Sequence, residues 1–399
     1  MKLVDVFKTV FHMENALKVE IHISELKVGH YVLKIVKQVG EFNLASPGHI
    51  KSEKVINNLK NKQVLSVLID KSKTIKTTPS NDPPSKASAE IKQAKAIFNE
   101  SKSIQKSLFS HALSGANIEL TPVIDVCNKS IDAIFNNPDS LACIVNIREK
   151  DEYLLEHSVA VSVYMILFAR YLELDRTIIE QLSVGAFLHD IGKIMISGEV
   201  LNKPGKLTDD EFTIMKTHAN HSINIIKRIP GISELSLEIA ALHHEKLDGT
   251  GYPFQIKGEN ISQYGRMIAI CDIFDALTTS RVYKKGFPHP KAFAILRELA
   301  QSSHLDAELV DHFIKCIGVF PIGSLVQLDS KKLAMIEERN DSNPTKPKVR
   351  SFYSVTANDF VNSEYVNLET TDDFIEKGVC AEEFDLDMNK IIEILMMDG

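Results

Sequence analysis

The sequence has no paired cysteines, no apolar run long enough to cross a bilayer and no excess of positive charge. Its five cysteines (Cys127, Cys143, Cys271, Cys316 and Cys380) are scattered, odd in number and without a CxxC pair. That argues against a disulfide framework or a thiolate zinc site and fits reduced thiols in a cytoplasmic protein. Met1 to Lys18 mixes charged and apolar residues and lacks the apolar core of a signal peptide. The most apolar stretch, Val159 to Leu172, follows His157 and is broken by Arg170, so it falls short of the roughly 20 residues that a membrane span needs. With a formal charge of −7 and a pI near 6.1, long nucleic acid is not an expected partner, although a local cluster could still grip a small phosphate ligand. No internal repeat is visible.

What is present is a chain of 399 residues, 44% of them hydrophobic and 25% charged, enough to bury a large core and to form two or three domains. Between Val19 and Asp70, short β-like runs (Tyr31 to Val36, Val64 to Ile69) are punctuated by Gly29, Gly40 and Pro47-Gly48. Thr77 to Ser85 concentrates turn and polar residues without periodicity, which predicts a linker. Beyond it Ile91, Ile97, Ile104 and Leu108 fall close to one helical face, Pro122 to Phe135 forms another amphipathic stretch, and helices are expected to about residue 317. Thr208-Asp-Asp-Glu211 has the form of a capping box, and His289-Pro290 places proline where a first helical turn tolerates it. Ser324 to Leu328 and Leu333 to Ile336 predict a short C-terminal β-hairpin, and the acidic tail after about residue 354 has no clear pattern. The expected division is a small β-containing regulatory or interaction domain (1–70), a linker (71–88), a mainly α helical-bundle domain (89–320), and a hairpin with tail (321–399).

Seven potential ligands stand apart in the helical region: His157, His189 and Asp190, His218, His243 and His244, and Asp272. Imidazole with carboxylate and no thiolate suits Fe, Mn or Zn in a water-retaining catalytic site better than a closed structural zinc site. Any one of these histidines alone is more readily a satisfied or exposed helical residue. Together they are harder to dismiss, because six of the fourteen histidines lie between His157 and His244, and burying them without a metal would strand polar groups. Spacing alone leaves the metal site and the ordinary reading about equally balanced and names no reaction.

The reaction comes from a resemblance. His189-Asp-Ile-Gly-Lys193, then His243-His-Glu-Lys-Leu-Asp-Gly-Thr-Gly-Tyr-Pro253, then Arg266 to Leu277, resemble in order the HD-GYP family of cyclic dinucleotide phosphodiesterases, over roughly Asp151 to Gly318. Val19 to Asp70 more weakly resembles the small domain that precedes some members. The resemblance implies an HD-type catalytic bundle whose seven ligands surround two or three metals, with Asp190 bridging. It implies that Lys193 is the active-site lysine and that Gly251, Tyr252, Arg281 and Lys284 meet the dinucleotide and its phosphates. Asp248 in the same string is expected to cap a turn. Members with a third metal carry a glutamate four residues before the first histidine; here that position is Tyr153, and on a helix the flanking Glu152 and Glu156 point elsewhere. The expected cofactors are therefore two divalent ions, Fe or Mn.

Two such ions would neutralise the phosphodiester oxygens and supply a nucleophile near neutral pH. Lys193 would stabilise the developing charge or help protonate the leaving ribose oxygen, and Tyr252 or Phe254 could stack on a guanine face. The expected substrate is cyclic di-GMP, cut to the linear dinucleotide with GMP as a further product. The alternatives are preference for cyclic GMP-AMP, a different HD-type phosphohydrolase, and a non-catalytic dinucleotide receptor. Three departures from the family pattern bear on the pocket lip and not on the ligands: Gln255 and Ser222 replace glycines, and Val282 replaces a proline. A protein partner or self-association is expected of the N-terminal domain.

Overall fold

The computed structural model describes residues 18–39, 47–50, 53–71, 73, 86–147, 153–280, 285–340, 342–388, 390–391 and 395. The first seventeen residues, most of the expected linker, and Arg281 and Lys284 lie outside the described residues. The chain divides into two compact units, residues 1–83 with 395–399, and residues 84–394.

In the first unit, β1 (Lys18–His22), β2 (Tyr31–Gln38), β3 (Gly48–His49) and β4 (Val64–Asp70) form an antiparallel sheet in the order β1-β4-β2-β3. β4 is an inner strand, and its two valines and Ile69 are residue types that fit a pleated, buried surface. Val67 and Ile69 are buried with Ile21, Val32, and Ile56 and Leu59 of α1 (Glu53–Asn61), which makes a small core of its own.

The second unit carries the helices: α2 (Lys86–Ser114), α3 (Thr121–Asn136), α4 (Pro138–Asn146), α5 (Tyr153–Tyr171), α6 (Arg176–Leu188), the short α7 (Gly198–Leu201), α8 (Asp209–Ile226), α9 (Glu234–Leu242), α10 (Gln263–Thr278), α11 (His289–Gln301) and α12 (Ala307–Ile317). α5 is apolar almost all round, as a helix must be when neighbours cover it on every side. Tyr164 and Phe168 of α5 interlock with Phe274, Phe293 and Phe313, mostly edge to face, and fix α5, α10, α11 and α12 together. The capping box forms: Thr208 Oγ1 accepts from the Glu211 amide at 3.3 Å while Glu211 Oε2 accepts from the Thr208 amide at 2.7 Å. No helix among the described residues is long and apolar enough to cross a membrane.

The expected hairpin is present as β5 (Leu325–Leu328) and β6 (Lys332–Glu338), with Leu325 opposite Met335. It is not isolated. β7 (Lys348–Ser354), β8 (Asp359–Asn367) and β9 (Ile375–Val379) complete a five-stranded antiparallel sheet in the order β8-β7-β6-β5-β9. Two segments of what reads as an unplaced acidic tail, β8 and β9, are therefore strand. In β8, Phe360, Asn362, Glu364 and Val366 fall at alternate positions and so share one face, which leaves the strand without a clean apolar-polar alternation.

Candidate metal centre

Five helices deliver the seven candidate ligands to one buried space. His157 comes from α5, His218 from α8 and Asp272 from α10, while His189 and His243 sit at the C-terminal ends of α6 and α9, each followed by its neighbour Asp190 or His244. Helix C-termini leave carbonyls without intrahelical partners. His189 Nδ1 lies 2.7 Å from the Ala186 carbonyl, and His243 Nδ1 lies 2.7 Å from the Ala240 carbonyl. His218 makes the same contact with the Met215 carbonyl at 2.6 Å. A carbonyl only accepts, so each of these Nδ1 atoms donates a proton and each Nε2 turns inward as a lone pair.

That arrangement is the test of whether a metal fits. His218 Nε2 and His243 Nε2 lie 3.3 Å apart, and with both protons on Nδ1 the two lone pairs face one another. His189 Nε2 and Asp190 Oδ1 are buried with no hydrogen-bond partner among the described residues. Stranded buried acceptors are costly, and a cation relieves all of them at once. The residues fit a metal. The ligand atoms form two groups, Asp190 with His218, His243 and His244, and His157 with His189 and Asp272, each within 4.8 Å of one another.

Asp190 joins the groups. Its Oδ1 is 3.4 Å from His218 Nε2 and 3.8 Å from His243 Nε2, whereas its Oδ2 is 3.3 Å from both His157 Nε2 and His189 Nε2. Asp272 is placed similarly, with Oδ1 3.0 Å from His157 Nε2 and Oδ2 3.5 Å from His244 Nδ1. Burial opposes ionisation of Asp190, but Lys193 and His189 outweigh it and hold the carboxyl well below the usual carboxylate range. Burial likewise opposes ionisation of Asp272, and His157 and His244 outweigh it in the same direction. Burial, reinforced by neighbouring imidazoles, drives His243 well below its ordinary value, and burial brings His244 down to about 3. Neutral imidazole is the form that ligates.

Lys193 reaches Asp190 Oδ2 from the 3₁₀ turn Ile191–Met195. The turn is pressed onto α8: a Cβ at Gly192 would lie 2.2 Å from the His218 carbonyl oxygen. Ser222, one of the departures from the family pattern, accepts the Gly192 amide at 2.9 Å through its hydroxyl. Gly251 is equally constrained, since a Cβ there would lie 2.5 Å from Glu245 Cα. The Tyr252 ring packs on His244 at 4.5 Å between centroids, and burial pushes its phenol pKa up, so it remains a neutral donor. Gln255 has φ 57°, a conformation that favours glycine and accounts for the family's residue there. Asp248 makes a turn cap, its Oδ1 2.8 Å from both the amide and the hydroxyl of Thr250.

Two supporting residues escaped sequence reasoning. Asp275 is buried with Oδ2 2.7 Å from His157 Nδ1, and its signal was the three-residue helical spacing from Asp272. Glu245 is buried, and its carboxylate accepts from the amides of Phe254, Gln255 and Ile256 at 2.7, 3.1 and 3.0 Å, shaping the loop after Tyr252. It stands within the His243 to Pro253 string but carried no role. Glu156, in contrast, is turned to α2, where Oε1 lies 2.7 Å from Lys102 Nζ.

A helical core with buried paired His-Asp ligands of this kind defines an HD domain, and a family model described as "HD domain" matches residues 142–309. A second, described as "Domain of unknown function (DUF3391)", matches residues 18–123. The chain is 34% identical over 294 residues to "Cyclic di-GMP phosphodiesterase PA4108" of Pseudomonas aeruginosa, covering 73% of this chain and 70% of that protein. It is 39% identical over 210 residues to a "Cyclic di-GMP phosphodiesterase" of Vibrio cholerae, 51% of this chain and 42% of the relative. It is 38% identical over 186 residues to "3'3'-cGAMP-specific phosphodiesterase 3" of Vibrio cholerae, 45% of this chain and 40% of the relative. The chain belongs to the HD-GYP family, that of the cyclic di-GMP phosphodiesterases it matches.

Proposed function

We propose that this protein is a metal-dependent phosphodiesterase that hydrolyses cyclic di-GMP to the linear dinucleotide and onward to GMP, with two divalent ions, Fe or Mn, as cofactors. The observation that carries the reading is Asp190, whose two oxygens face two different groups of imidazoles. When bound, a pair of divalent ions supplies charge neutralisation on the phosphodiester and a nucleophile near neutral pH. Asp190 would be held by both ions, with His218, His243 and His244 on one side and His157, His189 and Asp272 on the other.

The chain's own groups do the rest. Lys193, whose ammonium lies beside Asp190, would bind a phosphate oxygen and stabilise charge on the departing ribose oxygen. Tyr252 offers its phenol as a donor and Gly251 lets the loop close against Glu245. Arg281 and Lys284 would grip the second phosphate, and exposed Phe254 would stack on a base. A second reading, preference for cyclic GMP-AMP, is supported by three matched relatives that are named for that activity. A receptor without catalysis is disfavoured by the seven ligands, all of them retained. The reading includes a cytoplasmic location and a partner-binding or self-associating role for the N-terminal unit.

The test is anaerobic purification with elemental analysis, then chromatography of parallel digests of cyclic di-GMP and cyclic GMP-AMP. Faster turnover of cyclic di-GMP is expected, and loss of both turnover and bound metal in Asp190→Ala. Hydrolysis of neither dinucleotide by metal-loaded protein, or normal turnover by metal-free Asp190→Ala, would overturn the reading.

A further inference from the structure

We infer that Gln105 of α2 is a positioning residue for the metal centre, acting through the helix end that carries His189 and Asp190; this rests on the proposed metal-dependent activity. Gln105 is 1% exposed, and its amide donates to the carbonyl of Phe187, the penultimate residue of α6. That carbonyl is one of the four that a helix cannot satisfy internally at its C-terminus. The preceding one, of Ala186, receives His189 Nδ1. Successive orphan carbonyls are thus tied by a ligand ring and by a side chain from another helix, which fixes where α6 stops and where the next two side chains project.

The same face of α2 reaches a second ligand-bearing segment, the start of α5. Lys102, three residues before Gln105 and so on the same side of the helix, pairs with buried Glu156, the residue before His157. α2 therefore braces both chain segments from which His157, His189 and Asp190 leave. Neither Gln105 nor Lys102 belongs to the ligand set or to the family motifs, and no metal contact is assigned to either. Their influence is on ligand direction, where outer-shell partners typically govern metal affinity by 10–100-fold.

The experiment compares wild type, Gln105→Ala, Gln105→Glu and the control Lys129→Ala, which breaks an exposed contact of α3 with Glu100 on α2. Manganese affinity is titrated, and the melting temperature of metal-free protein, kcat and KM for cyclic di-GMP are measured. Both Gln105 variants should bind manganese about 10-fold or more weakly. At saturating manganese, kcat should fall while KM stays within about 2-fold, and Lys129→Ala should match wild type. Gln105→Met, which keeps the length without the amide, gives the same reading should the alanine variant not fold. Lowered melting with unchanged manganese affinity would overturn the inference and leave Gln105 a packing residue. Wild type that neither binds manganese nor turns over would instead sink the proposed activity.

Discussion

His157 Nδ1 lies 2.7 Å from Asp275 Oδ2, both residues buried, so that the imidazole entering the metal centre from α5 is aimed by a carboxylate on α10. The carboxylate keeps the proton on Nδ1 and leaves Nε2 toward Asp272 Oδ1, 3.0 Å away. Asp275→Ala should therefore reduce metal affinity by about 10–100-fold and destabilise the fold by roughly 1–3 kcal/mol, the cost of a stranded buried donor. Metal titration and urea unfolding check the two effects separately. Unchanged metal affinity would show that packing alone orients His157.

Glu245 organises the loop after Tyr252 by accepting three consecutive backbone amides. Glu245→Ala releases that loop without touching a candidate ligand. KM for the dinucleotide should rise more than kcat falls, and stability should drop by about 1–3 kcal/mol, since exposed Phe254 and Gln255 can turn their amides to water. Steady-state kinetics at saturating metal distinguishes this from a lost ligand, which would lower kcat first.

Legibility followed periodicity. The capping box, the helices from Ile91 onward and the strands at Tyr31 and Val64 announce themselves through local pattern, and the ligands do so through residue type and motif. The sheet beyond residue 347 was hidden because its strands lack a clean alternation: β7 is buried almost throughout, and β8 mixes Phe360 and Val366 with Asn362 and Glu364 on one face. The orienting groups were hidden for another reason. Gln105 reveals its function only through a partner 82 residues away, and nothing in local sequence marks a glutamine that will meet a helix end, while Asp275, whose partner is 118 residues away, has only its spacing from Asp272 to mark it.

The position of α2 sharpens what a truncation should do. A chain beginning at Ser88 keeps nearly all of α2, including buried Ile97, Phe98, Leu108 and Phe109, and should fold and retain hydrolysis. A chain beginning at Gly115 loses those four apolar side chains together with Lys102 and Gln105. It should be insoluble or metal-poor, because several large core side chains go at once, each deletion typically worth 2–5 kcal/mol. Circular dichroism and metal analysis of both chains decide it, and inactivity of the longer one despite full metal would make the N-terminal unit part of the catalytic machinery.

The number of metals is the remaining prediction, and two per chain is the expected result. The ligand atoms fall into two groups that share a space through Asp190 and Asp272. A third ion would need a further carboxylate from the start of α5. The sequence puts Tyr153 at the position four before His157, and the neighbouring Glu156 is engaged with Lys102 on α2. With no glutamate directed to a third position among the described residues, repulsion from two nearby cations would not be offset. Glu156→Gln should lower stability, because it weakens a buried pairing, yet leave the saturating count at two. Anomalous diffraction or elemental analysis of protein loaded with iron or manganese provides the count. A fully occupied third ion ligated by Glu152 or Glu156 would refute it.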